Sequence, residues 1–193
     1  MKKVFGLGLI CAFSLASPVF AKNPQNEFFQ NLRQLCGKAF AGKLVKFSDS
    51  DKAWRQSKTI MHVRDCSDKE IRIPLHVGEN RSRTWIITRT AQGLRLKHDH
   101  RHEDGSPDAV TMYGGDTPNK GKATEQSFPA DKESKDLFVK NNLKVSVDNT
   151  WWMMIEPEKR FSYRLTRADR DFQVDFDLSK PVPVPPPAWG SKS

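Results

Sequence analysis

The stretch Phe161-Ser162-Tyr163-Arg164-Leu165-Thr166-Arg167-Ala168-Asp169-Arg170-Asp171-Phe172-Gln173-Val174-Asp175-Phe176-Asp177-Leu178 decides the fold class. Phe161, Tyr163 and Leu165 alternate with Ser162 and Arg164. After Ala168-Asp169-Arg170 reverses the chain, Phe172, Val174, Phe176 and Leu178 alternate with Gln173, Asp175 and Asp177. Successive side chains on a strand point to opposite faces, so a period of two marks a strand with one wet face and one face on a core. Two such runs joined by a short polar turn make an antiparallel hairpin.

The same pattern spreads outward from it. Ile71, Ile73, Leu75 and Val77 alternate with Arg72, Pro74 and His76, where Pro74 suggests an edge or a bulge. Further strand-like runs cover residues 39–47, 59–64, 84–89, 94–102, 110–113 and 145–155. Gly114-Gly115 closes the run at 110–113, and Val147, Trp151, Met153 and Ile155 share a face of the last one. Residues 23–35 read as a short helix, with Asn23 as cap, Pro24 in the first turn, and Phe28, Phe29, Leu32 and Leu35 on the apolar side. A second short helix is expected within residues 129–141, with Asp131 near its start. About nine or ten hairpin-connected strands, each with one apolar face, predict a mainly β chain. Its expected form is an antiparallel up-and-down barrel, which leaves fewer exposed sheet edges than an open sheet.

The N-terminus sets the expected compartment. Lys2 and Lys3 precede an apolar run over residues 4–16, and Val19-Phe20-Ala21 offers small residues for a signal peptidase, so residues 1–21 read as a signal peptide cleaved after Ala21. No second long apolar run follows, so no transmembrane segment is expected in the mature chain. Residues 22–180 then form the barrel domain, and the proline-rich residues 181–193 a C-terminal tail, too stiff for a strand interior, in which Trp189 either docks on the body or stays free. Cys36 and Cys66 remain in the mature chain, and an even pair in an exported protein predicts a structural disulfide worth roughly 3–4 kcal/mol. The formal charge of +9 falls by two on removal of Lys2 and Lys3, and basic residues are interleaved with acidic ones. That mixture reads as a solvated surface and gives no specific nucleic-acid signal.

Chemistry concentrates in residues 94–105, where Leu94, Leu96, His98, His100 and His102 share one strand face. A strand that begins by presenting leucines to a core thus ends by presenting imidazoles. Histidines two apart on a strand lie about 6.5 Å from one another, close enough to converge on a divalent transition metal, with His102, Glu103, Asp104, His62 or His76 as further ligands. Equally, His98 and His100 can be the polar contacts of a ligand cavity, with Trp85, Tyr113 and Trp151 as its aromatic lining. Phe161 and Trp152 are further aromatics, and Trp151 and Trp152 must face opposite ways. Gly93, His98, His100 and Glu103 approximate a cupin metal motif, though both spacings are short and the second motif is absent. Ser106 and Asp108 lie near the histidines without a Gly-x-Ser-x-Gly elbow, and the turn Asp104-Gly105-Ser106-Pro107 explains them as well.

In arrangement and composition the chain resembles the calycin class of small barrels, the lipocalins and fatty-acid-binding proteins. His76-Val77-Gly78 followed by Arg83-Thr84-Trp85 is similar to the nitrobindin-like branch, whose haem ligand is a late histidine. No histidine follows His102 here, so haem is not carried over. Residues 97–108 followed by Tyr113-Gly114-Gly115 resemble a group of uncharacterised secreted proteins of Gram-negative bacteria. The expectation is an exported barrel, periplasmic or secreted, that binds a small ligand. The alternatives are a metal protein built on His98, His100 and His102, or a non-catalytic interaction protein of the envelope.

Overall fold

Strands form where apolar and polar side chains alternate. The structure, a computed structural model, describes residues 23–191, so the expected signal peptide at residues 1–21 lies outside it. In chain order the strands are β1 (Ala39–Lys46), β2 (Thr59–His62), β3 (Asp65–Cys66), β4 (Glu70–Val77), β5 (Asn80–Arg89), β6 (Leu94–His100), β7 (Tyr113–Asp116), β8 (Glu125–Pro129), β9 (Thr150–Glu156), β10 (Arg160–Arg167) and β11 (Arg170–Val182). The helices are α1 (Pro24–Arg33), α2 (Lys52–Gln56) and α3 (Lys132–Lys140), and single 3-10 turns occur at Asp49–Asp51 and Lys144–Ser146. Strand accounts for 47% and helix for 18% of the described residues.

Ten strands run β7-β6-β5-β4-β2-β1-β11-β10-β9-β8 in a nearly closed antiparallel barrel, with β3 also paired to β4. Pro74 faces the break between β2 and β3, where a residue without an N–H interrupts no ladder. β7 and β8 are the two edges, and the N-terminus of α3 seals the seam between them. Ser134 Oγ accepts from the Gly114 N–H at 2.7 Å and lies 3.0 Å from the Gly114 carbonyl, while the Asp131 N–H donates to that same carbonyl at 2.8 Å. Lys97 reaches across to Asp131 at 2.6 Å. Edge groups that would otherwise be orphaned are thereby satisfied. Gly115 is required at this seam, because a Cβ there would sit 1.9 Å from the Pro129 carbonyl oxygen.

One end of the barrel is plugged by α1. Asn23 caps the helix by accepting the Gln25 N–H at 3.0 Å, and Phe28, Phe29 and Leu32 are fully buried. Each such side chain contributes about 1.5–3 kcal/mol of burial. Polar contacts fix the helix over this end: Gln25 Nε2 donates to Thr117 Oγ1 at 2.7 Å, and Asn31 Nδ2 donates to the Ala123 carbonyl at 3.3 Å. The Cys36–Cys66 disulfide ties the segment after α1 to β3. No helix among the described residues is long and apolar enough to cross a membrane.

Several expectations are corrected. The strand expected at 110–113 begins only at Tyr113, and Gly114-Gly115 lies inside β7 because bare backbone lets that strand approach its neighbours on both sides. The strand expected at 145–155 begins at Thr150; before it the chain makes a 3-10 turn in which Val145 is exposed. β6 ends at His100, two residues short of the expected end. Pro181 and Val182, assigned to the tail, pair with Phe40 and Ala39 beside a register shift, a position that tolerates proline. The tail also docks through residues 187–189: the Trp189 backbone N–H donates to the Arg81 carbonyl at 3.1 Å, Arg81 donates to the Pro187 carbonyl at 3.2 Å, and Ala188 is buried. α2 and β8 were not anticipated. β8 offers only Phe128 as an apolar residue pointing into the core.

Candidate functional site

At the end opposite α1, the inward faces of the strands change character. Along β6 they read Leu94, Leu96, His98, His100; along β5, Ile87, Trp85, Arg83; along β10, Phe161, Tyr163, Leu165, Arg167. The antiparallel register places Trp85 opposite His98 and Arg83 opposite His100. These side chains surround a cavity of about 250 Å³. Trp85, Trp151, Tyr113 and Tyr163 form its walls and floor. Trp54 of α2, Arg167 and Arg170 stand with Leu143 among its remaining lining residues.

The rings hold one another in place. Trp85 stacks on Tyr163 with centroids 4.4 Å apart, and His98 stacks on Tyr113 at 4.7 Å. His98 Nδ1 lies 3.1 Å from the Tyr113 carbonyl oxygen, which can only accept, so Nδ1 carries the proton. Nε2 is therefore an acceptor, and the Tyr163 hydroxyl donates to it at 2.8 Å. His100 Nε2 and the Tyr113 hydroxyl share a second hydrogen bond of 3.0 Å. Burial holds His98 neutral, with its pKa lowered to about 3, and the neighbouring His100 and Lys97 push the same way. Burial and then the Arg83 charge lower His100 to about 4. Burial likewise raises both Tyr113 and Tyr163, so the phenols stay protonated. At neutral pH the polar groups on this floor are uncharged and mutually paired.

Arg83 supplies the charge. Its Nη1 donates to Asn80 Oδ1 at 2.9 Å and to Ser82 Oγ at 3.3 Å, and its guanidinium carbon lies 5.4 Å from the Trp54 ring centre. Burial lowers its pKa, and the Tyr113 and Tyr163 hydroxyls offset this in part. The other arginines of the cavity are ion-paired, Arg167 with Asp169 at 2.7 Å and Arg170 with Asp51 at 2.5 Å.

The five residues expected to contact a ligand, His98, His100, Trp85, Tyr113 and Trp151, all line this one cavity. The metal set of His98, His100 and His102 is not assembled. The chain turns after His100, with the His102 N–H donating to the Ser106 carbonyl at 2.9 Å, and His102 is exposed. His98 has no ring nitrogen left for a metal, since one donates and the other accepts. His62 and His76 lie on the strand faces opposite to the core residues Met61, Val63 and Leu75, buried but outside the cavity lining. Among the described residues no three His, Cys, Asp or Glu side chains are grouped to hold a metal ion. Ser106 is spent on its turn, its hydroxyl donating to Asp104 at 2.6 Å, and Asp108 accepts the Val110 N–H at 2.7 Å.

Sequence reasoning missed Arg83, Tyr163 and Trp54 as site residues. The first two were accessible by parity, Arg83 two residues from Trp85 on the same face and Tyr163 two from Phe161. Trp54 was not, because it reaches the cavity from α2 by packing edge-on against Phe172 at 5.0 Å, a contact no local pattern announces. No protein-family model, no curated protein and no solved structure matches this chain.

Proposed function

We propose that the protein is an exported barrel that holds a small, largely apolar organic ligand at the end of the barrel opposite α1. The observation that carries this reading is the aromatic cavity of about 250 Å³, on whose floor the polar groups are already satisfied by one another. An apolar cavity of about 150 Å³ suffices to bind benzene, so this space suits one or two rings. Sites of this kind, apolar walls with a few fixed polar groups, are the usual form of small-molecule pockets. Two features support export: the sequence at residues 1–21, and a disulfide of the kind that persists in oxidising compartments.

Calorimetric titration with neutral 2-naphthol tests the ligand reading. Saturable binding at one site is expected, and Val110→Trp, placed on the cavity wall, should weaken it at least about tenfold while the fold persists. A wild-type protein that takes up no such probe would overturn the reading. For export, the expected result is a mature N-terminus at Lys22, and a cell-derived protein beginning at Met1 would contradict it.

A further inference from the structure

We infer that the ligand of this cavity is a small planar carboxylate, its head group gripped by Arg83 and its apolar body lying between Trp85, Tyr113, Tyr163 and Trp151. The inference rests on the ligand-binding reading above and specifies its chemical class.

The first support is the geometry of the arginines. Arg95 holds Asp116 side-on, Nε to Oδ1 at 2.6 Å and Nη2 to Oδ2 at 2.8 Å. Arg164 holds Asp171 in the same way at 2.7 and 2.9 Å. In Arg83 only Nη1 is engaged, by the neutral acceptors Asn80 and Ser82, which fix one edge of the guanidinium. The Nε–Nη2 edge, the one that grips the carboxylate in both other pairs, has no partner among the described residues. A guanidinium is a rigid planar fork whose best match is a carboxylate taken with two parallel bonds.

The second support is charge. Among the described residues no Asp or Glu lines the cavity. The groups facing Arg83 are the neutral His100 and the protonated Tyr113 and Tyr163, and the nearby Arg167 and Arg170 are already bound to their own aspartates. Asp108 and Asp99 act on His100, and Asp108 on Tyr113, but neither lines the cavity. A cation drawn partly out of water against aromatic rings, with no carboxylate in the lining, is an unfavourable arrangement that an anionic ligand relieves. Position is the third support. Arg83 stands at the rim and Trp85 one step deeper on the same face, so an amphipathic molecule enters ring first and leaves its carboxylate at the guanidinium.

Calorimetric titrations of wild type, Arg83→Gln and Arg83→Lys with 2-naphthoate and the neutral isostere 2-naphthamide form the test, with circular dichroism to check folding. In wild type the carboxylate should bind about tenfold or more tighter than the amide, as expected for a charge-assisted fork. Arg83→Gln should abolish that preference, bringing the two affinities to within about threefold of each other. Arg83→Lys, which keeps the charge and loses the fork, should fall between the two. Equal affinities in wild type, or a preference that survives in Arg83→Gln, would overturn the anion assignment and leave the cavity reading intact. Failure of both probes to bind wild type would overturn the two together. Should Arg83→Gln not fold, the wild-type ratio and its reduction in Arg83→Lys decide the matter.

Discussion

The two ends of the barrel are built from the same strands and do opposite things. Toward α1, the inward positions of β5, β6, β9 and β10 carry Ile87, Leu94, Leu96, Ile155 and Phe161, and the helix adds Phe28, Phe29 and Leu32 to fill the space they leave. Toward the cavity, the same faces carry Arg83, His98, His100, Trp151 and Tyr163. Between β5 and β6, and between β9 and β10, the register runs unbroken from one end to the other; two or three residues along each strand suffice. The difference teaches that a barrel's axis can be divided into a stabilising half and a binding half by composition alone. Packing density is spent at one end, and fixed polar geometry is held at the other.

Breaking the plugged end should have the largest effect. Phe28→Ala removes a fully buried ring from α1 and should cost about 3–5 kcal/mol in denaturant unfolding. Loss of the Cys36–Cys66 bond, which closes a separation of 30 residues, should cost roughly 3–4 kcal/mol by the same measurement in Cys36→Ser/Cys66→Ser protein. At the other end, Tyr163→Phe leaves His98 Nε2 buried with no donor. A smaller loss of about 1–3 kcal/mol is expected, with a change in ligand affinity that neither substitution at the plugged end should produce.

The buried imidazoles sharpen the comparison further. His98 has a folded pKa of about 3 against an ordinary value of 6.5, so on acidification the unfolded chain binds a proton that the folded chain refuses. Its contribution is fully present above pH 6.5 and is lost as pH falls toward 3, at about 1 kcal/mol per pH unit from His98 alone. His100, lowered to about 4, adds to the same trend over pH 6.5 to 4. Thermal melts across that window should show the decline, and His98→Gln should make it shallower. The smallest effect belongs to the lip of the cavity, where Leu143 is already 38% exposed. Leu143→Ala should change stability by less than about 0.5 kcal/mol.

Most of the fold was legible because it is written in period two. The alternation of Phe161 to Leu178, of Ile71 to Val77 and of Leu94 to His100 corresponds to β10, β11, β4 and β6, and Asn23-Pro24 marks the start of α1. What escaped was short or decided at a distance. β8 is five residues with one apolar residue in the core, and it is held by pairing with β9 rather than by its own pattern. Gly114-Gly115 reads locally as a turn, yet it is a strand because Leu96 and Pro129 press against it from either side. His102 keeps the parity of His98 and His100 on paper, but the tight turn at residues 102–106 ends the strand before parity can apply. Within the site, the strand-borne members follow from alternation. Trp54 and the uncompensated state of Arg83 depend on which side chains lie nearby in space, and alternation along one strand does not carry that information.

The most direct test of the division between the two ends is a nitrogen-15 amide NMR titration of the protein with 2-naphthoate. Saturable shifts should concentrate on Arg83, Trp85, His98, His100, Trp151 and Tyr163, with the amides of Phe28, Phe29 and Leu32 unmoved. Shifts centred on α1, shifts scattered over the outer surface, or no saturable shift at all would contradict that division.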